Sequence, residues 1–252
     1  MKIDRVTKHF GGLVAVNSVS FDISEGELLA LVGPNGAGKT TLFNVITGVL
    51  KASSGNIFFN GKEITGKRTN QIARMGIGRT FQIVRPFGKM TVLENILVPL
   101  GKAFYTRLSV FSHSPHEKIF ISKAMDLLKS AYLDDEANKM ASYLPIGMQR
   151  RLEIARALAL EPKLLLLDEP AAGLNEKESM QLKEYIEKIN SSGVSILLIE
   201  HDMKFIMSIS KRIVVLDHGS KIAEGTPSEI ASNPRVIEAY LGRKHKKGDK
   251  SA

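Results

Sequence analysis

Residues 28–41 read LLALVGPNGAGKTT. A short apolar run, typical of a buried central strand, enters a glycine-rich turn that a lysine and two threonines close. Gly33, Gly38, Lys39 and Thr40 stand in the G-x-x-x-x-G-K-[ST] pattern of a phosphate-binding loop. Gly33, Pro34, Asn35, Gly36, Ala37 and Gly38 form the loop, and all but Pro34 have backbone N–H groups that can fold around an anion. Lys39 is placed to reach β- and γ-phosphates, and Thr40, followed by Thr41, to put its hydroxyl on Mg2+. By average composition the four fixed positions match by chance in a chain this long about one time in a hundred. A helical pattern after the loop lowers that further.

Composition sets limits on what surrounds the loop. The 252 residues suffice for one large or two small cores, and 43% are apolar. With no cysteine there are no disulfides and no thiolate metal sites, which fits a reducing compartment. No apolar run approaches the roughly 18–20 residues that span a bilayer, and the opening MKIDRVTKHFGG lacks a signal peptide's apolar core. A soluble, cytosolic chain is the expectation. Of the net charge of +9, the last ten residues, RKHKKGDKSA, carry +4 with five bases and one acid, which leaves +5 for the rest. The tail, 243–252, reads as a disordered, solubilising end. No interleaving of basic and aromatic residues marks a nucleic-acid groove, and no nucleic-acid partner is expected.

Outward from the loop, KIDRVTKHF and SVSFDI alternate like half-buried strands before LLALV, and TTLFNVITGV has helical spacing closed by Gly48. GNIFFNG is a short strand and NQIARMG a helical turn or two. From Pro86 to about residue 150 the texture turns helical: TVLENILVPL, with a Thr91/Glu94 capping box, HEKIFISKAMDLLKSAYL and DDEANKMASYL, with SVFSHSP as a loop between them. Alternation then resumes with MQRRLEIARALAL as helix, LLLLD as strand, EKESMQLKEYIEKINSSG as helix, VSILLIE as strand, DMKFIMSIS as helix, RIVVLDHG as strand and NPRVIEAYLG as a last helix. This order predicts an α/β fold with a mostly parallel sheet, and a helical subdomain inserted into it at about 86–150.

Several residues stand where chemistry is done. LLLLDEP ends a buried strand with Asp168, placed to face Mg2+ near Thr40, and Glu169, placed to polarise an attacking water as general base. The other reading of the two acids is a solvated strand end. His201 follows the apolar strand ILLIE and is either a γ-phosphate sensor or a loop histidine with a local partner. Gln82, in GRTFQIV, ends a short strand with its amide available to Mg2+ or water. Phe10 is either an adenine-stacking ring or core. The other histidines are dispersed, without metal spacing. The G-x-G-x-x-G pattern is missing, which disfavours nicotinamide cofactors.

Together these motifs resemble the ATP-binding cassette (ABC) ATPases, the motor subunits of ABC transporters, over nearly the whole chain to about Gly242. GPNGAGKTT is similar to their Walker A loop, LLLLDEP to Walker B with its catalytic glutamate, Gln82 to the Q-loop glutamine and His201 to the switch histidine. Phe10 falls at their adenine-stacking position, and AAGLN, 171–175, at the D-loop. The usual LSGGQ signature is replaced by LPIGM, so that only Leu144 and Gly147 survive. Pro145 and Met148 supply neither the serine hydroxyl nor the glutamine amide, and Pro145 removes a backbone donor. At roughly 1–3 kcal/mol per charge-assisted bond, weaker nucleotide-driven dimerisation or lower basal turnover is expected. Asn175, where the family has aspartate, removes a charge from the subunit contact.

FGGLVAVNSVSF, IGRTFQIVRPFGKMTVLENI, RRLEIARALALEPKLLLLDEPAAGLN and LLIEHDMKFIMSISKRIVVLDHG narrow the resemblance to the LivG-type ATPases of high-affinity branched-chain amino-acid importers. This implies a P-loop NTPase of the ABC type at 1–242, with an antiparallel β subdomain and ATP and Mg2+ as cofactors. It implies catalytic roles for Glu169, His201 and Lys39, metal contacts from Thr40, Gln82 and Asp168, and contacts in trans from Gly147 and Met148. It also implies a head-to-tail pair with a second, LivF-like ATPase subunit or with a second copy. Two transmembrane permease subunits and, indirectly, a periplasmic or extracellular solute-binding protein complete the set, at the cytoplasmic face of the membrane. An ABC ATPase for urea, short amides or a lipid, a soluble ABC ATPase, and a nucleotide-binding module without catalysis are the competing readings.

Overall fold

The computed structural model describes residues 1–80, 86–101 and 115–241. The chain divides into two compact units, Met1–Met75 with Ser195–Ala252, and Gly76–Val194. The first begins with β1 (Lys2–Phe10), β2 (Leu13–Asp22), β3 (Leu28–Val32), α1 (Lys39–Ile46), β4 (Ser54–Phe59), β5 (Lys62–Glu63) and α2 (Thr69–Arg74). The second holds β6 (Ile77–Arg79), α3 (Val92–Leu100), α4 (Pro115–Ser130), α5 (Ile146–Leu158), β7 (Leu164–Asp168) and α6 (Glu176–Ser191). The first resumes with β8 (Ser195–Ile199), α7 (Met203–Ile209), β9 (Arg212–Asp217), β10 (Ser220–Gly225), α8 (Pro227–Ser232) and α9 (Pro234–Leu241).

In the first unit β3 lies between β8 and β9, parallel to both, with Ala30 opposite Leu198 and Ile213. Every residue of β3 and β8 is buried, as expected of parallel strands covered on both faces. Ala30 and Val32 pack with Ile213 and Val215 of β9, Ile206 of α7, Ile230 of α8 and Val236 of α9. β10 adds antiparallel to β9. Its sequence, SKIAEG, has no clean apolar alternation and gave no strand signal. The second sheet of this unit is antiparallel, in the order β2-β1-β4-β5. β2 begins five residues earlier than the SVSFDI pattern, and its register with β1 shifts at bulges, which interrupt a period-2 signal.

In the second unit β6 and β7 pair in parallel, Gly78 opposite Leu165 and Arg79 opposite Leu166. α3 starts with the Thr91/Glu94 capping box. Asn95, fully buried, ties down the turn before it: its Oδ1 accepts from Phe87 N at 2.9 Å and its Nδ2 donates to Phe87 O and Thr91 O. Residues 134–144 correct the helix read from DDEANKMASYL. Only two 3-10 turns form, Asp134–Glu136 and Ala141–Tyr143. The carbonyls of Ala137 and Lys139 accept instead from Leu93 N and Val92 N, the otherwise unsatisfied donors at the start of α3, and so are taken from a helix of their own. The α/β class, the parallel core strands, the antiparallel sheet and the helical stretch expected from the sequence are present. SVFSHSP lies outside the described residues except Pro115, which opens α4.

Candidate functional site

The loop between β3 and α1 is shaped by two close approaches. At Gly33, φ is +151°, and a Cβ there would lie 2.1 Å from the Leu216 carbonyl oxygen. At Gly38, φ is +97° and a Cβ would lie 2.3 Å from Ala15 O. No L side chain fits either place, so both glycines of the sequence pattern are fixed by backbone packing. The loop is pinned from behind, where Gly219 N donates to Ala37 O (3.1 Å) and Asn17 N to Gly219 O (2.8 Å). Asn35, Gly36 and Thr40 are exposed, Pro34 and Thr41 are half-buried, and Ala37 is buried.

Lys39 is only 7% exposed, and its ammonium donates to Gly33 O (2.7 Å) and Pro34 O (3.0 Å). The cation is thus held over the concave side of the loop. α1 begins at Gly38 with no side-chain cap and no acid in its first turn, which leaves the positive end of its dipole available to an anion. A loop of close-packed glycines, a held lysine and an uncapped helix start fit the phosphates of a nucleotide.

Two other expected residues belong to the same unit. Phe10 ends β1 with 45% of its surface exposed and Lys8 Nζ 5.0 Å from its ring centroid. Its core alternative is therefore excluded. His201 leaves β8 with its side chain largely in solvent. Its backbone N donates to the Glu200 carboxylate (3.2 Å), and its Nδ1 lies 3.8 Å from the same oxygen, Oε2. Asp202 then caps α7 by accepting from Lys204 N and Phe205 N. A buried acid before it and a cap after it thus fix the backbone at His201.

The second unit carries the strand-end acids. Asp168 is buried at the end of β7, and its Oδ2 accepts from Arg79 Nη2 at 3.0 Å. Glu169 follows with φ +48°, a left-handed conformation rare for a residue with a side chain. Asn175 caps α6: its Oδ1 accepts from Glu178 N (2.9 Å), and Glu178 Oε2 accepts from Asn175 N (3.1 Å). Asparagine and aspartate cap equally well, so the missing charge at this position costs the helix nothing.

The LPIGM loop opens α5. Pro145 is its N-cap, without a side-chain hydrogen bond, and Gln149 Nε2 donates to Leu144 O at 2.8 Å. Ile146 is 44% exposed and Met148 half-buried, whereas Gly147 is buried against Glu178. Gln82 lies outside the described residues. Thr40 and Asp168 each offer a hard oxygen donor suited to Mg2+. Arg79, Glu178 and Glu200 were missed by sequence reasoning. An arginine closing the short strand IGR is the signal that points to the first.

These features define a nucleotide-binding cassette built on a phosphate loop and a parallel core. The family model "ABC transporter" matches residues 16–172, and "Branched-chain amino acid ATP-binding cassette transporter" matches 220–246. The high-affinity branched-chain amino acid transport ATP-binding protein LivG of Salmonella typhimurium is 48% identical over 248 residues, 96% of this chain and 97% of the relative. The ADP conformation of an ATP-binding cassette of an ABC transporter superposes with TM-score 0.85 at 31% identity, covering 96% of this chain and 98% of that one. A dimeric cassette bound to ADP and Pi superposes with TM-score 0.75 at 28% identity, covering 90% and 98%. The chain belongs to the ABC transporter family as an ATP-binding, ATP-hydrolysing subunit of the LivG type.

Proposed function

We propose that this chain is the ATPase motor of a branched-chain amino-acid importer, one 1–242 cassette with its helical subdomain at about 86–150. The observation that carries the reading is the full-length likeness to LivG together with the C-terminal segment 220–246. In this reading the loop Gly33–Gly38, through the N–H groups of its residues other than Pro34, and Lys39 bind the β- and γ-phosphates, and Phe10 stacks on adenine. Thr40, Asp168 and Gln82 hold Mg2+, which when bound neutralises phosphate charge. Glu169 accepts a proton from the attacking water, and His201 steadies that water and the γ-phosphate by hydrogen bonds.

Two cassettes close head to tail, so that Gly147, Met148 and the start of α5 meet the nucleotide held by the other subunit. That subunit is LivF-like or a second copy. Hydrolysis reopens the pair and moves two transmembrane permeases, to which a solute-binding protein delivers leucine, isoleucine or valine. No helix among the described residues is long and apolar enough to cross a membrane, in keeping with a peripheral subunit on the cytoplasmic face.

Affinity capture from gently solubilised native membranes tests this. Two multi-spanning permeases and a second ATPase are expected, with hydrolysis stimulated by leucine-loaded binding protein. A different permease set overturns the cargo. Absence of any membrane protein, under conditions that retain known complexes, overturns the transport role.

A further inference from the structure

The reciprocal cap at the start of α6 accounts for only one of the two oxygens of Glu178. Its Oε2 is fixed by Asn175 N, while its Oε1 faces the first turn of α5. A Cβ added to Gly147 would lie 2.9 Å from Oε1, 3.0 Å from Cδ and 3.2 Å from Cγ of Glu178. A side chain at 147 would therefore have to displace this carboxyl group, which the bond from Asn175 N holds in place. Gly147 does not have a positive φ, so proximity rather than conformation selects glycine here.

The contact continues along both helices. Arg151, one turn after Gly147, donates from Nη1 to Gln181 Oε1 at 2.8 Å, and Gln181 is one turn after Glu178. Burial lowers the Arg151 guanidinium from its ordinary value, and the Glu178 carboxylate is the strongest of the charges that raise it again. Tyr185, fully buried, continues the same face of α6. The helices are thus fastened at their N-terminal ends, where the sequence sets the LPIGM and AAGLN segments, inside one compact unit.

We propose that Glu178 is a positioning residue that locks the LPIGM loop to the AAGLN segment, so that both shift as one body. The consequence for dimerisation rests on the head-to-tail reading above. Because one carboxyl group serves both segments, a displacement of α5 is passed to Asn175 through two short polar contacts and a packed backbone. Glu178→Gln keeps the shape and the capping box, whereas Glu178→Ala removes the side-chain half of the box and leaves the bond from its backbone N to Asn175 Oδ1.

The chain has no cysteine, so Tyr143→Cys, immediately before LPIGM, and Met180→Cys, on α6 after AAGLN, both well exposed, provide unique spin-label sites beside the two segments. Pulsed EPR is run on the full chain carrying Glu169→Gln, diluted in excess unlabelled chain, with and without Mg-ATP. One narrow distance is expected, unchanged by nucleotide. It broadens in Glu178→Ala and is restored in Glu178→Gln. In unlabelled protein Glu178→Ala weakens ATP-driven dimerisation about tenfold, while binding of a fluorescent ATP analogue to the monomer is unchanged. A distance that changes with ATP while Glu178 is intact, or stays narrow in Glu178→Ala, overturns the lock. If Glu169→Gln never dimerises with ATP, the head-to-tail reading falls, and the lock is decided separately by the nucleotide-free distance distributions.

Discussion

Arg79→Met should be among the most destabilising single changes in this protein. Arg79 lies on β6 opposite Leu166 of β7, and its guanidinium reaches past that residue to Asp168 Oδ2 at 3.0 Å. The two side chains are 9% and 2% exposed. Breaking a buried ion pair by removing one partner costs about 3–5 kcal/mol, because the surviving charge stays desolvated. At roughly 2–4 °C per kcal/mol for a chain of this size, melting should fall by about 6–20 °C. Methionine preserves length and apolar volume, so the loss reports charge and not a cavity. Lys123→Met, in the ion pair of Lys123 with Glu161 whose side chains are 50% and 70% exposed, is the control. Exposed pairs contribute about 0–1 kcal/mol, so its melting should shift by no more than about 4 °C. The assay is scanning calorimetry of both variants beside the parent. An Arg79→Met melting temperature no lower than that of Lys123→Met would refute the argument.

Lys39→Met removes a charge-assisted contact of about 1.5–3 kcal/mol, so binding of ATP, measured by titration calorimetry, should weaken about 10–150-fold. The fold should persist in circular dichroism, because the lysine's acceptors Gly33 O and Pro34 O lie in an otherwise pinned loop. Glu27 gives the pH dependence. Burial acts to raise its carboxyl, but hydrogen bonds from Arg212 and Ser24 N–H, with the charges of Arg212 and the N-terminus, hold it below its ordinary 4.5. Its stabilising contribution is therefore complete above 4.5 and is lost as pH falls through its folded value. The urea midpoint of the parent should exceed that of Glu27→Gln at pH 7, and the gap should close as the medium is acidified. A gap independent of pH contradicts this assignment.

What the sequence made legible was local. LLALV, the glycine turn and the helix after it follow each other without a break, so that the strand, the loop and α1 fall where pattern reading sets them. The same holds for the strand end LLLLD and for the Thr91 cap. The missed features depend on register between distant segments. The pairing of Arg79 with Asp168 needs β6 and β7 aligned across most of the second unit, and no spacing within either strand encodes that. The helix expected in DDEANKMASYL failed for a related reason. Its pattern was helical, but the donors at the start of α3 took its carbonyls. β10 stayed hidden because a half-buried edge strand shows weak alternation.

α3, α6 and α8 each begin with a reciprocal side-chain box, and α7 with Asp202. α1 and α5, whose first turns are assigned to phosphates in the proposed mechanism, begin without a side-chain cap, as does the six-residue α2, whose N-cap Arg68 has no side-chain acceptor. A cap is worth about 1 kcal/mol to a helix, so leaving α1 and α5 uncapped forgoes that stability. They are also the two starts where a side-chain oxygen over the first N–H groups would compete with a phosphate for the same donors. Pro145 gives α5 a fixed entry angle without such an oxygen, while Gln149 secures the preceding turn through Leu144 O. The LPIGM loop thus loses the polar side chains of the usual signature yet keeps the backbone amides of the first turn. On this argument the weakening expected from LPIGM is confined to lost side-chain bonds and leaves the main-chain contribution in place.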